Sequence, residues 1–156
     1  MSLIKLDDNG RAIYGPMFSF VEKKNMVFAG GTTNDPGDKD GTSATTKLFD
    51  VTGDVMCMVI GVCKDTLVGA ATLEVGVANA TAALIAQLSN ATTLAVNEVW
   101  ADATPTLAES IATRFHVIGG GLDINQLVAS ADITAGEIDY YCFWQPLSDD
   151  GLVVAA

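Results

Sequence analysis

The fold of this chain is decided by the stretch Glu137-Ile-Asp-Tyr-Tyr-Cys-Phe-Trp-Gln-Pro146. Its side chains from Glu137 onward alternate between a more apolar and a more polar set, and successive residues of a β-strand point to opposite faces of a sheet. The stretch therefore predicts a strand, preceded by a turn over residues 132–136 and ended by the proline. Its buried face is predicted to carry Ile138, Tyr140, Cys142 and Trp144.

A second strand is predicted for residues 55–63, where almost every residue is apolar. Both faces of such a strand are hydrophobic, which is typical of a strand that is covered on both sides, and another subunit is a candidate for one of the covers. We expect Val55, Cys57 and Val59, or the residues that alternate with them, to lie opposite the buried row of the closing strand.

Further short strands are predicted at roughly ten-residue spacing along the rest of the chain. They fall at residues 47–51, 71–77, 84–88, 96–100, 114–118 and 122–127. A short helix is the alternative for residues 80–88, because their Ala, Leu and Gln also suit helices. The pattern is that of a sandwich, jelly roll or barrel, and it predicts a single all-β, β-sandwich or jelly-roll-like domain over residues 47–156.

Residues 1–46 look different from the rest, because glycine, proline and a polar loop interrupt any long periodic element. We therefore predict an extended N-terminal arm with one short strand candidate near residues 26–29. About 30 extended residues could reach on the order of 100 Å. The alternative is a local strand and loop that fold back on the body.

The chain is acidic, with a formal net charge of −11 at pH 7. In residues 66–156 the only basic residue is Arg114. Phosphate binding needs clustered Lys and Arg, so we expect no nucleic-acid partner. No apolar stretch is long enough to span a bilayer, and the N-terminus lacks the apolar core of a signal peptide. We therefore expect no membrane partner and synthesis in the cytoplasm.

No catalytic or metal-binding constellation is recognisable in the sequence, so we expect a protein that is not an enzyme and has no cofactor. The loop at residues 35–41 is rich in Asp, but its spacing departs from that of a calcium loop, and Thr46 stands where a bidentate Glu is required. His116 has no nucleophile placed beside it by a motif and is predicted to be a strand residue.

Aromatic and thiol side chains are assigned to packing. Trp100 and Trp144 each end a predicted strand and are expected in the core or at a subunit contact, with a sugar platform as the alternative. Cys57, Cys63 and Cys142 lie in apolar runs and are predicted to be core residues. A disulfide that joins Cys142 to either of the other two cysteines is the alternative.

A family resemblance is carried by three stretches. They are Ala71-Thr-Leu-Glu-Val-Gly-Val-Ala-Asn-Ala-Thr-Ala-Ala-Leu-Ile-Ala-Gln87, Asn97-Glu-Val-Trp-Ala-Asp-Ala-Thr-Pro105 and residues 131–151. Together they resemble a family of small proteins encoded among the head genes of tailed bacteriophages, whose members look like virion structural proteins and include capsid decoration, or cement, proteins. The resemblance covers residues 47–151 and carries no catalytic positions to transfer.

The resemblance implies a protein that binds the outer surface of the capsid, stabilises the head and clamps neighbouring shell subunits. The expected partners are the major capsid protein and further copies of the chain, as a homotrimer on the virion exterior. Another virion part, such as a tail or head-fibre module, and a carbohydrate-binding β module are the alternatives. The basic residues of the first 46 are expected to contact the capsid, namely Lys5, Arg11, Lys23, Lys24 and Lys39.

Overall fold

The structure, a computed structural model, describes residues 5–6, 12–13, 19–31, 35–40, 44–110 and 114–156. Within these ranges the chain forms β-strands and one short 3-10 helix, Ala91–Thr93. The strands are β1 Lys5–Leu6, β2 Ala12–Ile13, β3 Ser19–Val27, β4 Thr45–Thr52, β5 Val55–Val68, β6 Thr72–Val77, β7 Ala80–Leu88, β8 Val99–Trp100, β9 His116–Ile118, β10 Ile124–Ala129, β11 Ala135–Pro146 and β12 Leu152–Ala155.

Two antiparallel sheets make up the body of the protein. Sheet I has the order β3-β11-β5-β8, and β9 pairs with β5 further along. Sheet II has the order β12-β4-β10-β6-β7. Buried residues of both sheets form one hydrophobic cluster, so the sheets pack as a sandwich and the predicted all-β class is confirmed. Strands β1 and β2 pair with each other in a separate two-stranded sheet.

The central pair of sheet I is β5 with β11, the two strands that the sequence singles out. Ile138, Tyr140 and Cys142 are fully buried, whereas Trp144 is only partly buried against the same cluster. Trp144 lies two residues before the end of β11, and the last four residues of this strand are all partly exposed. The fully buried row is therefore one residue shorter than predicted.

Residues of β5 lie beside this row in the same sheet and do not face it from the other layer. Cys142 pairs with Val59, and Trp144 pairs with Cys57. Val55, Cys57 and Val59 are all buried. The layer that covers them comes from sheet II, through residues such as Phe49 and Ile124.

The N-terminal boundary of the sandwich differs from the predicted one. Strand β3 pairs with β11 from Val27, opposite Glu137, to Ser19, opposite Trp144. Met26 and Phe28 are buried in the core. An arm of residues 1–46 is therefore wrong from Ser19 onward, and the alternative of a strand folded back on the body holds there. The physical reason is the apolar area that this strand and the residue after it bring to the core.

Strand β7 settles the ambiguity of residues 80–88 in favour of a strand, since they pair with β6 and are not helical. Among the residues that the structure describes, no helix has the length and apolarity needed to cross a membrane.

Candidate interaction surfaces

The outward side of sheet I is an apolar surface. Since Val55, Cys57 and Val59 point into the core, the residues that alternate with them point away from it. On β11 the same holds for Tyr141 and Phe143. We call the resulting surface the outer apolar face, and it comprises Phe20, Met56, Ile60, Val62, Val99, Val117, Tyr141 and Phe143.

Strand pairing brings the members of the outer apolar face together. Phe143 lies between Phe20 on β3 and Met58 on β5, and the rings of Phe20 and Phe143 stack with centroids 6.1 Å apart. Val117 pairs with Met56 at the other side of the sheet. Phe20 is 59% exposed and Val117 is 68% exposed. Large apolar side chains at both borders of the face are therefore open to solvent.

The outer apolar face carries the exposed Phe20 and Val117, and the same strand pairing places the polar Glu22, Asp139 and Gln145 on this side of the sheet. Soluble monomers rarely expose a large contiguous apolar patch, and larger patches mark sites where another molecule binds. The run of residues 55–63 was predicted to be covered on both sides. Sheet II covers one side, whereas on the other side Met58 is buried and Met56, Ile60 and Val62 remain partly exposed. The face is thus a candidate interface.

The basic residues expected to contact the capsid occupy different places. Lys23 and Lys24 lie on β3 and line a cleft of about 510 Å³ between this strand and the C-terminal Ala155 and Ala156. Lys39 lies in the loop before β4, and Lys5 lies in β1. Arg11 lies outside the described residues. The structure therefore brings two of the five together and places Lys39 elsewhere.

Nearby oxygen atoms bind the side chains of Lys23, Lys24 and Lys39. A hydrogen bond and charge attraction from Glu22, 3.2 Å away, raise the pKa of Lys24. Asp40, 2.9 Å from Lys39, raises the pKa of that lysine in the same way. Lys23 donates to the carbonyl oxygen of Ala156. Water screens such exposed pairs, so they hold the side chains only weakly. Lys24 and Lys39 have a carboxylate as partner, whereas Lys23 has a main-chain oxygen.

A polar network in the core connects the two sheets. Tyr140 of β11 donates a hydrogen bond of 2.6 Å to Oε1 of Gln126 on β10. The ring of Trp100 meets that of Tyr140 edge to face, with centroids 6.3 Å apart. Burial raises the pKa of Tyr140 well above its usual value, so the phenol stays protonated and can donate. Trp100 is fully buried, which rules it out as a sugar platform.

Gln126 is a residue that sequence reasoning missed. It lies between Ile124 and Val128 on the core side of β10, and all three are fully buried. The available signal in the sequence was a polar residue at a position of the strand that points into the core. Trp100 Nε1 and Gln126 Nε2 are buried without a hydrogen-bond partner among the described residues. The Tyr140 hydroxyl therefore satisfies only the side-chain oxygen of the buried glutamine.

Replacing Tyr140 by phenylalanine is expected to destabilise the protein by about 1–3 kcal/mol, because Gln126 Oε1 would be left buried without its donor. Urea unfolding followed by fluorescence measures the change. The matched control is Tyr141→Phe, because Tyr141 lies on the outer apolar face and is partly exposed. Equal effects of the two substitutions would show that the hydrogen bond contributes nothing specific.

The cysteines are packing residues. All three are free and buried. Cys57 and Cys142 are diagonal neighbours on adjacent strands, because each pairs with the residue two positions from the other. Diagonal Cα atoms are about 7–8 Å apart, beyond the usual span of a disulfide. A hydrogen bond with the Cys57 thiol, together with burial, raises the pKa of Cys142, and burial raises the pKa of Cys63 to about 11.

Two carboxylates hold the backbone of the acidic loop before β4, Asp38 of the loop itself and Asp132 of the turn before β11. The amide of Asp40 donates to Asp38 Oδ1, and the amide of Lys39 donates to Asp132 Oδ1, both over 3.0 Å. In the part of the chain that the structure describes, no three His, Cys, Asp or Glu side chains are grouped to hold a metal ion.

Comparison with models of known protein families gives no match for the chain. Searches among curated proteins and among solved structures also give no similar protein. The function therefore rests on the sequence resemblance and on the surfaces described above.

Proposed function

We propose that this chain is a capsid decoration protein of a tailed bacteriophage, which binds the outside of the shell as a homotrimer and stabilises the head without catalysing a reaction. Two lines support the proposal. The first is the resemblance of residues 47–151 to head-associated proteins. The second, which carries the most weight, is the outer apolar face of an otherwise acidic sandwich. Such a face is suited to binding a protein surface.

In this proposal the outer apolar face is turned towards the major capsid protein. Removing apolar surface from water contributes about 25 cal/mol per Å², so a modest contact area supplies useful affinity. A homotrimer presents three such faces at once, and contacts joined in one oligomer act at high effective concentration. The exposed Lys24 and the partly exposed Lys23 and Lys39 remain candidates for polar contacts at the rim, together with Lys5 and Arg11.

The proposal predicts that Phe20→Ser weakens binding to undecorated, expanded heads of the encoding phage by at least about tenfold. A loss of about 1.4 kcal/mol per contact gives this factor, and avidity multiplies it across a trimer. Binding is measured by co-sedimentation with the heads. The matched control is Leu152→Ser, which is 46% exposed on sheet II and should bind as the unchanged protein does. Undiminished binding of Phe20→Ser would remove the outer apolar face from the attachment site.

A map of the intact particle distinguishes decoration from a role in the tail or a head fibre. Density for the sandwich at threefold or quasi-threefold positions of the shell supports the proposal. Density confined to the tail contradicts it. Binding on a glycan array, with and without calcium, would instead favour the carbohydrate-binding alternative, for which Trp144 is the remaining, partly exposed indole.

A further inference from the structure

The register of strand β10 is not set by a tight turn. In sheet II this strand lies between β4 and β6, where Gln126 pairs with Thr46 on one side and with Val75 on the other. Neither neighbour is consecutive with β10 in the chain, because even β6 ends at Val77 and β10 begins only at Ile124. A hairpin fixes the register of its two strands through the turn, so the register of β10 has to be specified in another way.

The sequence around β10 offers a second register, shifted by two residues. The alternation of the sequence predicts a strand over residues 122–127, whereas the structure has the strand at Ile124–Ala129. A shift of two residues keeps the same set of side chains inward, because the side-chain period of a strand is two. It would bring Leu122, which already packs against the core, into the inward position of Ile124. The loop between β10 and β11 would grow longer, which changes its closure entropy only a little.

Gln126 is the residue that distinguishes the two registers. It is fully buried between Ile124 and Val128, and its Oε1 accepts the hydrogen bond of 2.6 Å from the Tyr140 hydroxyl. A shift of two residues moves a strand by about 6.8 Å. Gln126 would then lie at the position of Val128, and both it and Tyr140 would be buried without their mutual hydrogen bond. The apolar residues of the row tolerate either register, whereas this polar pair does not.

Sheet I holds the Tyr140 ring in a fixed place. Tyr140 on β11 and Trp100 on β8 both pair with Gly61 of β5. A Cβ atom at Gly61 would lie 3.3 Å from each of the two rings, so both rings pack closely over this glycine. The Tyr140 hydroxyl is therefore a fixed donor in one sheet, against which the position of β10 in the other sheet is set.

We propose that the buried pair of Gln126 and Tyr140 selects the register of β10, and with it the alignment of sheet II. The amide nitrogen Nε2 of Gln126 has no hydrogen-bond partner among the described residues. A buried donor without a partner is destabilising, so this pair is not the choice that maximises stability. Polar residues in a core can instead exclude competing arrangements. The inference is independent of the capsid and of the oligomeric state, so failure to bind heads would leave it untouched.

The first experiment moves the glutamine along the strand. In the variant Ile124→Gln/Gln126→Ile, the introduced glutamine reaches Tyr140 only after a shift of two residues. We therefore expect this variant to adopt the shifted register, in which position 124 lies opposite Val75. Nuclear Overhauser contacts between the main chains of β10 and β6 in the full-length chain measure the register. The matched control, Ile124→Val/Val128→Ile, exchanges two apolar residues of the same row and should keep Gln126 opposite Val75.

A second variant removes the polar pair. Gln126→Met/Tyr140→Phe replaces both polar groups by apolar groups of similar shape, a change that can be nearly neutral for stability. We expect its melting temperature to be no lower than that of Tyr140→Phe alone. We also expect two sets of amide resonances for β10, with at least about a tenth of the molecules in the shifted register.

The native register in the exchanged variant would overturn the inference. The bulge between β10 and β4, together with the length of the loop before β11, would then be sufficient to fix the register. A single set of resonances in the apolar variant would have the same meaning. Failure of either variant to fold, while the control folds, would also overturn the inference, since the shifted register would then not be open to the chain.

Discussion

Replacing Trp100 by alanine is expected to lower the free energy of unfolding by about 3–5 kcal/mol, the range for truncating a large aromatic side chain in a core. Trp100 is fully buried, and its ring contacts that of Tyr140 between the sheets. At the size of this domain each kcal/mol shifts the melting temperature by about 2–4 °C. The melting temperature should therefore fall by roughly 6–20 °C.

Three comparisons make this result specific. Leu107→Ala is the control, because Leu107 is 73% exposed and its loss should change stability by less than about 0.5 kcal/mol. Trp100→Phe should cost less than Trp100→Ala, since it keeps a ring and removes the indole nitrogen that lacks a partner. Trp144→Ala should also cost less, because Trp144 is partly exposed. If Trp144→Ala were the more damaging change, the register of β11 would be wrong.

Strand β11 shows why much of the fold is readable from sequence. One face of this strand is buried and the other is more exposed to solvent, so the residues from Glu137 onward show an alternation with a period of two. Strand β5 shows where prediction from the local sequence fails. The apolar pattern ends at Cys63, yet the strand continues to Val68 through the exposed Lys64 and Asp65. The pairing of Asp65 with Glu137 extends the strand beyond Cys63. This pairing depends on the tertiary structure, so the local sequence of β5 does not predict it.

Strand β3 was missed for a related reason. Its Glu22, Lys23 and Lys24 resemble a solvated loop, but charges are also what protects an edge strand.

The candidate interface was predicted only in part. The apolar residues at 55–63 are visible in the sequence, whereas the contact of Phe20 with Phe143 depends on the register between β3 and β11. No local pattern specifies a register between strands so distant in the chain.

Deleting residues 1–46 is expected to abolish the cooperative fold, in contrast to the arm hypothesis, in which residues 47–156 would fold alone. The deletion removes edge strand β3 and the buried side chains of Met26 and Phe28. It also removes Gly30 and Gly37, whose backbones exchange hydrogen bonds of 2.8 Å with Ile133. Losing two buried side chains alone costs about 5–10 kcal/mol, which is comparable to the whole stability of a domain.

Thermal unfolding followed by circular dichroism measures this effect, and a shorter deletion, of residues 1–18, is the control. Removal of residues 1–18 should leave a sharp transition, because the sandwich begins at Ser19, whereas removal of residues 1–46 should leave none. A cooperative transition for residues 47–156 would restore the arm hypothesis and make β3 dispensable. The shorter deletion is also the suitable variant for the capsid-binding experiment. It separates any contact made by Lys5 and Arg11 from the stability of the sandwich, so weaker binding to heads would report on the N-terminal segment.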